Sequence, residues 1–583
     1  MKSIRYAKRW RIEPSDSAAY RRGELVRPVK QLVFYIDSLM PVKWNPYIKA
    51  GAESWNKAFE KIGFKDVICV KEFPKNDTLF NANSFDCMTI RYSASWLNSA
   101  QTTIHSDTRT GEILNASILI NANMISVQYA DRIGATVAID PRVRTTVFPQ
   151  EIQGELIQAA IAQAVGTGLG LTMNWGASCA YPVDSLRSAS FTQKYGLASS
   201  VMGGVIINDV ATEEDVRNGV CLVNTKPGPY DELVIKYLYQ PIYASSLQEE
   251  KETLDSWIRE HTGDPYYAYI RNQSRFDSDP RNSRGSLGDD HLKSFDYMLP
   301  NVRKGFENYY SWFAKEDRDF LMRRRVHSAL SERLSGRIYA ILSYIGGIYL
   351  NDIREKDAIP SYSMVDREKQ KAALSKALEL AKNLDWVDDT AHLNEFEISD
   401  KKADRLRLDI FNGIFGRLPY VEVCTERFPD AAYTASEYLD DIYGIVWEGV
   451  LKHRPLENFE RALQTAFLES IISTSTATAP IGSFKASKTG FAATGKPEIN
   501  LAALRNGGKV DMKMYSLQNA EEVAGFSSIP PIYTNQTKIA AYYFDLLMRT
   551  KDMLKKAIST APEADRSHYD LLIYRINKAT EIE

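Results

Sequence analysis

Residues 149–175 constrain this chain more than any other stretch. A long apolar helix is predicted from Pro149 to Val165, and it breaks off in Gly166-Thr167-Gly168-Leu169-Gly170-Leu171-Thr172-Met173-Asn174-Trp175. The run Gly166-x-Gly168-x-Gly170 has the look of a phosphate loop, but it follows a helix rather than a strand. It reads as the relaxed end of that helix and not as a nucleotide site.

The pattern around this helix sets the fold class. Lys30 to Pro41, Val67 to Val70, Met88 to Tyr92 and Ile113 to Ile120 read as strands. Asn45 to Gly63 reads as one amphipathic helix, with Ile48, Ala52, Trp55 and Phe59 on its stripe and Gly63 as its stop. Ser106 to Gly111 is a turn. Strand, helix, three strands, helix is an α/β sandwich with a mixed sheet over residues 28–175. Gly228-Pro229-Tyr230-Asp231 starts a further helix, with Asp231 where the helix dipole favours an anion.

From 291 onward the pattern is helical, with helices over 317–350, 368–384, 432–452, 457–470 and 538–559, interrupted by a Ser/Thr/Gly-rich loop at 473–496. No repeat of fixed period stands out, so the second half is an irregular helical domain rather than a solenoid. At 583 residues the chain exceeds one ordinary core.

Composition removes several function classes. The 72 basic and 74 acidic residues nearly cancel, which argues against an electrostatic nucleic-acid binder. No apolar run approaches the roughly 18 residues that span a bilayer, and the start has no apolar signal segment. Five scattered cysteines (Cys69, Cys87, Cys179, Cys221, Cys424) give neither a disulfide framework nor a metal-binding pair. The seven histidines show no ligand spacing. Arg323-Arg324-Arg325 reads as a solvated helix face, and Asp289-Asp290 as a helix cap rather than a calcium site.

With its spacing, the stretch from Gln163 to Met173, followed by Ser200-Val201-Met202, resembles H-E-x-x-H-x-x-G-x-x-H with its downstream methionine turn. The chain resembles the bacterial Met-zincin family with an EcxA-like zinc-binding domain. The likeness also rests on Arg9-Trp10-Arg11, Tyr35-Ile36-Asp37, Trp55 to Glu60, Arg109 to Ile113, Tyr181 to Arg187 and Gly228 to Asp231, covering residues 1 to about 300. It implies an α+β chain: 1–27 as the end of an upstream domain, 28–260 as a metzincin-like mixed-sheet α/β sandwich, 261–290 as a linker, and 291–583 as a large α-helical domain. Active relatives are exported zinc peptidases, whereas this chain shows no signal peptide; the compartment stays open.

The resemblance assigns zinc ligands to Gln163, Thr167 and Met173, the general base to Ala164, the motif glycine to Gly170, the Met-turn methionine to Met202 and an oxyanion-stabilising tyrosine to Gly204. None of the ligand positions holds imidazole, thiolate or carboxylate. Gln163 is a weak neutral donor, Thr167 a hydroxyl of very high pKa, and Met173 a soft thioether better matched to Cu(I). Ala164 cannot accept a proton. A glutamate beside an absent metal would be an unpaired buried charge costing several kcal/mol, which Ala164 avoids. No cofactor is therefore expected.

Three readings follow. The first is a catalytically inactive homologue whose cleft binds extended polypeptide. The second is an active peptidase with atypical metal ligation, and the third a structural remnant without ligand. For the first, the resemblance assigns the groove's edge strand to Ile113–Ile120. Asn115, Ser117 and Leu119 lie on one face there, and Leu114, Ala116 and Ile118 on the other. Backbone pairing to an added strand would need none of the missing side chains.

Overall fold

The computed structural model describes residues 7–74, 76–77, 80–97, 100–270, 278–282, 286–351, 353, 357–388, 401–474 and 536–580. After α1 (Ser17–Arg21) come β1 (Leu32–Ile36), α2 (Asn45–Glu53) and α3 (Asn56–Glu60), then β2 (Ile68–Glu72), β3 (Met88–Ser93), β4 (Gln101–Ser106) and β5 (Ile113–Asn121). These strands form a five-stranded sheet in the order β2-β1-β3-β5-β4, parallel except for β4. The mixed sheet of the sequence reading is present.

Two expectations change here. The helix expected over 45–63 is two helices, because the Ser54 hydroxyl donates to Gly51 O (2.7 Å) and competes with the helical ladder. Gly63, at φ +89°, does end the second. The groove strand assigned to Ile113–Ile120 is not an edge. β5, with Asn115, Ala116, Ser117, Ile118 and Leu119, is paired to β3 on one side and β4 on the other. The edge is β4, whose single apolar residue, Ile104, gives too little alternation to mark a strand.

From β5 the chain passes straight into α4 (Ala122–Thr136), and α5 (Gln150–Gly168) follows. Both helices straddle two cores. Ile157, Ile161 and Val165 of α5 pack with the sheet residues Phe34, Ile90 and Ile118. Ile152, Leu156 and Ala159, interleaved with them along the helix, belong to the core of the helical half. An all-round apolar helix is one buried on all sides, and α5 is apolar because it serves both cores.

Short helices α6 (Ala189–Tyr195) and α7 (Glu213–Arg217) precede α8 (Pro229–Tyr239) and α9 (Leu247–Arg259). The described residues of 261–290 pack against the first half: Gly288 N–H donates to Ser178 O (2.8 Å), and the Asn174 side chain to Ala268 O (2.9 Å).

Then come α10 (His291–Phe313) and α11 (Leu321–Leu342), a hairpin of β6 (Ile348–Leu350) and β7 (Tyr362–Met364), and α12 (Arg367–Lys382). The rest is α13 (Lys402–Arg427), α14 (Ala435–Val446), α15 (Glu448–Leu451), α16 (Asn458–Thr474), α17 (Gln536–Ala557) and α18 (Glu563–Thr580). Asp290 caps α10 through Leu292 and Lys293 N–H.

The helix expected over 317–350 is shorter. Asp317 receives the Met322 and Arg323 N–H groups from outside α11, and Gly346 at φ +59° turns the chain into β6. Arg323, expected on a solvated face, is buried and paired with Asp317 at 3.1 Å. The helix expected over 432–452 is α14 plus α15, and most of the loop at 473–496 lies outside the described residues. Among those, no helix is long and apolar enough to cross a membrane.

A buried ion triad joins the halves. Arg333 reaches Asp209 at 2.6 Å, and Arg337 makes a second pair with it. Burial opposes the Asp209 charge, but the two guanidiniums outweigh it and hold the carboxyl below its ordinary range.

Candidate functional site at the end of helix α5

The end of α5 is fixed by backbone geometry and by side chains from three other segments. Gly170 N–H bonds Thr167 O (2.9 Å) and Leu171 N–H bonds Gly166 O (3.1 Å), the paired bonds of a Schellman ending. Gly170 is at φ +93°, and a Cβ there would lie 2.1 Å from Lys8 O. Backbone angle and space each require glycine at the motif position. Beyond the last turn, the Trp10 indole donates to Gly168 O (2.8 Å) and the Tyr239 hydroxyl to Leu169 O (2.5 Å), satisfying carbonyls a helix end otherwise leaves open.

Gly166 is required for a different reason. A Cβ on it would meet Trp55 Cζ2 at 2.5 Å and Met202 Sδ at 2.6 Å. Met202 is fully buried directly against the helix, and Trp55 is anchored by its indole bond to Ala162 O (2.8 Å).

The turn after α5 folds residue 173 back onto the helix. Gln163 Nε2 donates to Met173 Sδ at 3.1 Å, and the Thr167 hydroxyl donates to Gln163 O at 3.3 Å. Gln163, Thr167 and Met173 are thus brought together. Ala164, almost fully buried, points into the sheet core, and its carbonyl accepts from the Thr102 hydroxyl of β4 at 2.9 Å. Edge strand and motif helix are therefore in direct contact. Gly204 is at φ +100°, with open space where a side chain would project. A tyrosine there would have room but a strained backbone.

This donor set does not suit zinc. It offers a carboxamide turned to a sulfur, a hydroxyl already donating to backbone, and a thioether, with no anionic or imidazole donor. Among the described residues no three His, Cys, Asp or Glu side chains stand close enough to hold a metal.

The turn Val201–Gly203 below the helix is held by a residue that sequence reasoning placed only near a helix N-terminus. Asp231 accepts from the Ser200 hydroxyl (2.5 Å), Val201 N–H (2.9 Å) and Gly228 N–H (2.9 Å). Ser200 Oγ in turn accepts from Met202 N–H (2.9 Å), and Asn174 N–H bonds Met202 O (3.0 Å). Among the described residues no cation stands beside Asp231. Burial pushes its pKa up to about 7, against the pull of those three hydrogen bonds. The available signal was the capping-box aspartate after Gly228-Pro229. The thirty residues separating it from Ser200 concealed its partner.

A five-stranded mixed sheet with one antiparallel edge strand, a buried helix crossing beneath that edge, and a glycine turn that returns the chain towards the helix make a metzincin-like metallopeptidase fold. The Met-zincin family profile matches residues 145–454, more than half of the chain, and the chain belongs to the Met-zincin family. Comparison with the curated proteins and with the solved structures returned no significant match.

Proposed function

We propose that this chain is a catalytically silent Met-zincin that binds extended polypeptide along β4. The observation that carries the reading is that Gln163 bonds Met173 and Thr167 bonds backbone, beside Ala164. The Gln163 amide is spent on the Met173 thioether and the Thr167 hydroxyl on the Gln163 backbone carbonyl, where a peptidase would present a metal and a base. Peptide binding is supported by the position and composition of β4. It is one of the sheet's two outer strands, it touches α5 through Thr102, and Gln101-Thr102-Thr103-Ile104-His105-Ser106 contains no proline and no Asp, Glu, Lys or Arg to guard an open edge. Backbone pairing along such an edge gives affinity, and side-chain pockets give selectivity. Without a metal to anchor a peptide carbonyl, affinity is expected at roughly micromolar or poorer.

The test has two arms. Elemental analysis of protein purified without chelator, together with casein hydrolysis assays, is expected to show no stoichiometric zinc and no turnover. About one zinc per chain, or hydrolysis that co-purifies with the protein, would overturn the silent reading. Hydrogen exchange with a mixed peptide pool is expected to slow at residues 101–106. Unchanged exchange there at millimolar peptide removes the groove.

A further inference from the structure

The sheet's other face carries a feature that the α5 end does not use. Along β5, Ala116 faces α5, where it lies 3.4 Å from a Cβ built on Gly168, so Asn115 and Ser117 face the opposite way. There, with Thr89 and Arg91 of β3 and His105 of β4, they line an open cavity of about 240 Å³ bordered by Ala82 to Phe85 and by Cys87. We propose that this cavity binds a small phosphate-type oxyanion, with Arg91 as its charge anchor and Thr89 and His105 as further donors.

That border is built in. The Asn115 amide donates to both Phe85 O (2.7 Å) and Cys87 O (3.0 Å). Arg91 Nη2 donates to Ala82 O (2.7 Å) and Asn83 Oδ1 (2.8 Å). Those are neutral acceptors, and Arg91 forms no ion pair with any described residue. A guanidinium is the side chain best shaped to take two oxygens of one anion.

Thr89 is 2 % exposed, lines the cavity, and its hydroxyl has no hydrogen-bond partner among the described residues. The same holds for both ring nitrogens of His105, whose ring lies 5.7 Å from that of Phe85. No Asp or Glu lines the cavity. Unspent donors around one cation, without a carboxylate, favour an anion over a metal or a cationic ligand.

Thermal shift at constant ionic strength, with chloride as the balancing anion, tests this. Inorganic phosphate and O-phosphoserine are titrated separately. Saturable stabilisation by either at about millimolar concentration, weakened at least tenfold in Arg91→Gln and several-fold in Thr89→Val, supports the site. The stronger of the two ligands tells free from esterified phosphate. Arg109→Gln, an exposed arginine in the β4–β5 turn, is expected to bind as wild type. If Arg91→Gln does not fold, Thr89→Val and His105→Gln decide. No saturation above the chloride control, or wild-type binding by the folded variants, overturns the proposal.

Discussion

Asp231→Asn tests the heart of the turn beneath α5. Asp231 is fully buried with no counter-charge among the described residues, and its pKa is about 7 in the fold against 3.8 for the free side chain. The native state therefore binds the proton more tightly than the unfolded state. Between about pH 4 and pH 7 the native state holds the extra proton, so stability falls as pH rises, by up to 1.36 kcal/mol per unit. The shift of about 3 units gives a total near 4 kcal/mol, present in full below the unfolded pKa and lost above the folded one. From pH 5 to pH 8 roughly 2–3 kcal/mol of that loss should appear.

Asparagine does not titrate. Its Oδ1 can keep the bonds from Val201 and Gly228 N–H, both of which go to one carboxylate oxygen. Its Nδ2 would face Ser200 Oγ and reverse that bond, at a cost of about 1 kcal/mol. The variant should match or slightly exceed wild type at pH 5 and exceed it by roughly 3 kcal/mol at pH 8. Urea titrations of both proteins across this range measure the difference directly. Parallel curves, or an Asn variant that loses most at pH 8, would refute the assignment of a desolvated, proton-hungry carboxyl.

Gly166→Ala should destabilise by about 1–2 kcal/mol, since contacts of 2.5–2.6 Å to Trp55 and Met202 outweigh the gain in helix propensity; urea midpoints check this, and the same substitution should cost less when added to Met202→Ala than when added to wild type. Asp209→Ala should cost about 3–5 kcal/mol by leaving Arg337 buried without its partner, read as earlier urea unfolding; loss under 1 kcal/mol would show that the triad contributes little to holding the halves together. Gln163→His, Ala164→Glu, Thr167→His and Met173→His together should restore zinc binding by elemental analysis, with turnover lagging because Gly204, at φ +100°, leaves its backbone in a conformation a tyrosine would strain.

If both proposed sites hold, the sheet serves two ligands from opposite faces. The polypeptide edge would lie on the α5 side, and the oxyanion cavity behind it. β4 contributes to each, through Thr102 on one side and His105 on the other.

Sequence alone determined what local pattern can express. Apolar alternation located β1, β2, β3 and β5, the apolar run located α5, and the Gln163–Met173 spacing with Gly170 carried the family likeness. The missing donors were equally legible, because side-chain chemistry needs no coordinates. Tertiary structure decided what depends on neighbours distant in sequence. β4 was invisible because an edge strand with one half-covered face needs little apolar alternation. α4 was missed because no glycine or proline separates it from Asn121. The interior place of β5 follows from that missing partner, and with it the shift of the groove by one strand. The Gln163–Met173 bond exists only because the Gly170 turn folds ten residues back on themselves. Asp231 under Met202 required two segments thirty residues apart to share one buried site, and periodicity, a property of neighbours along the chain, carries no record of such meetings.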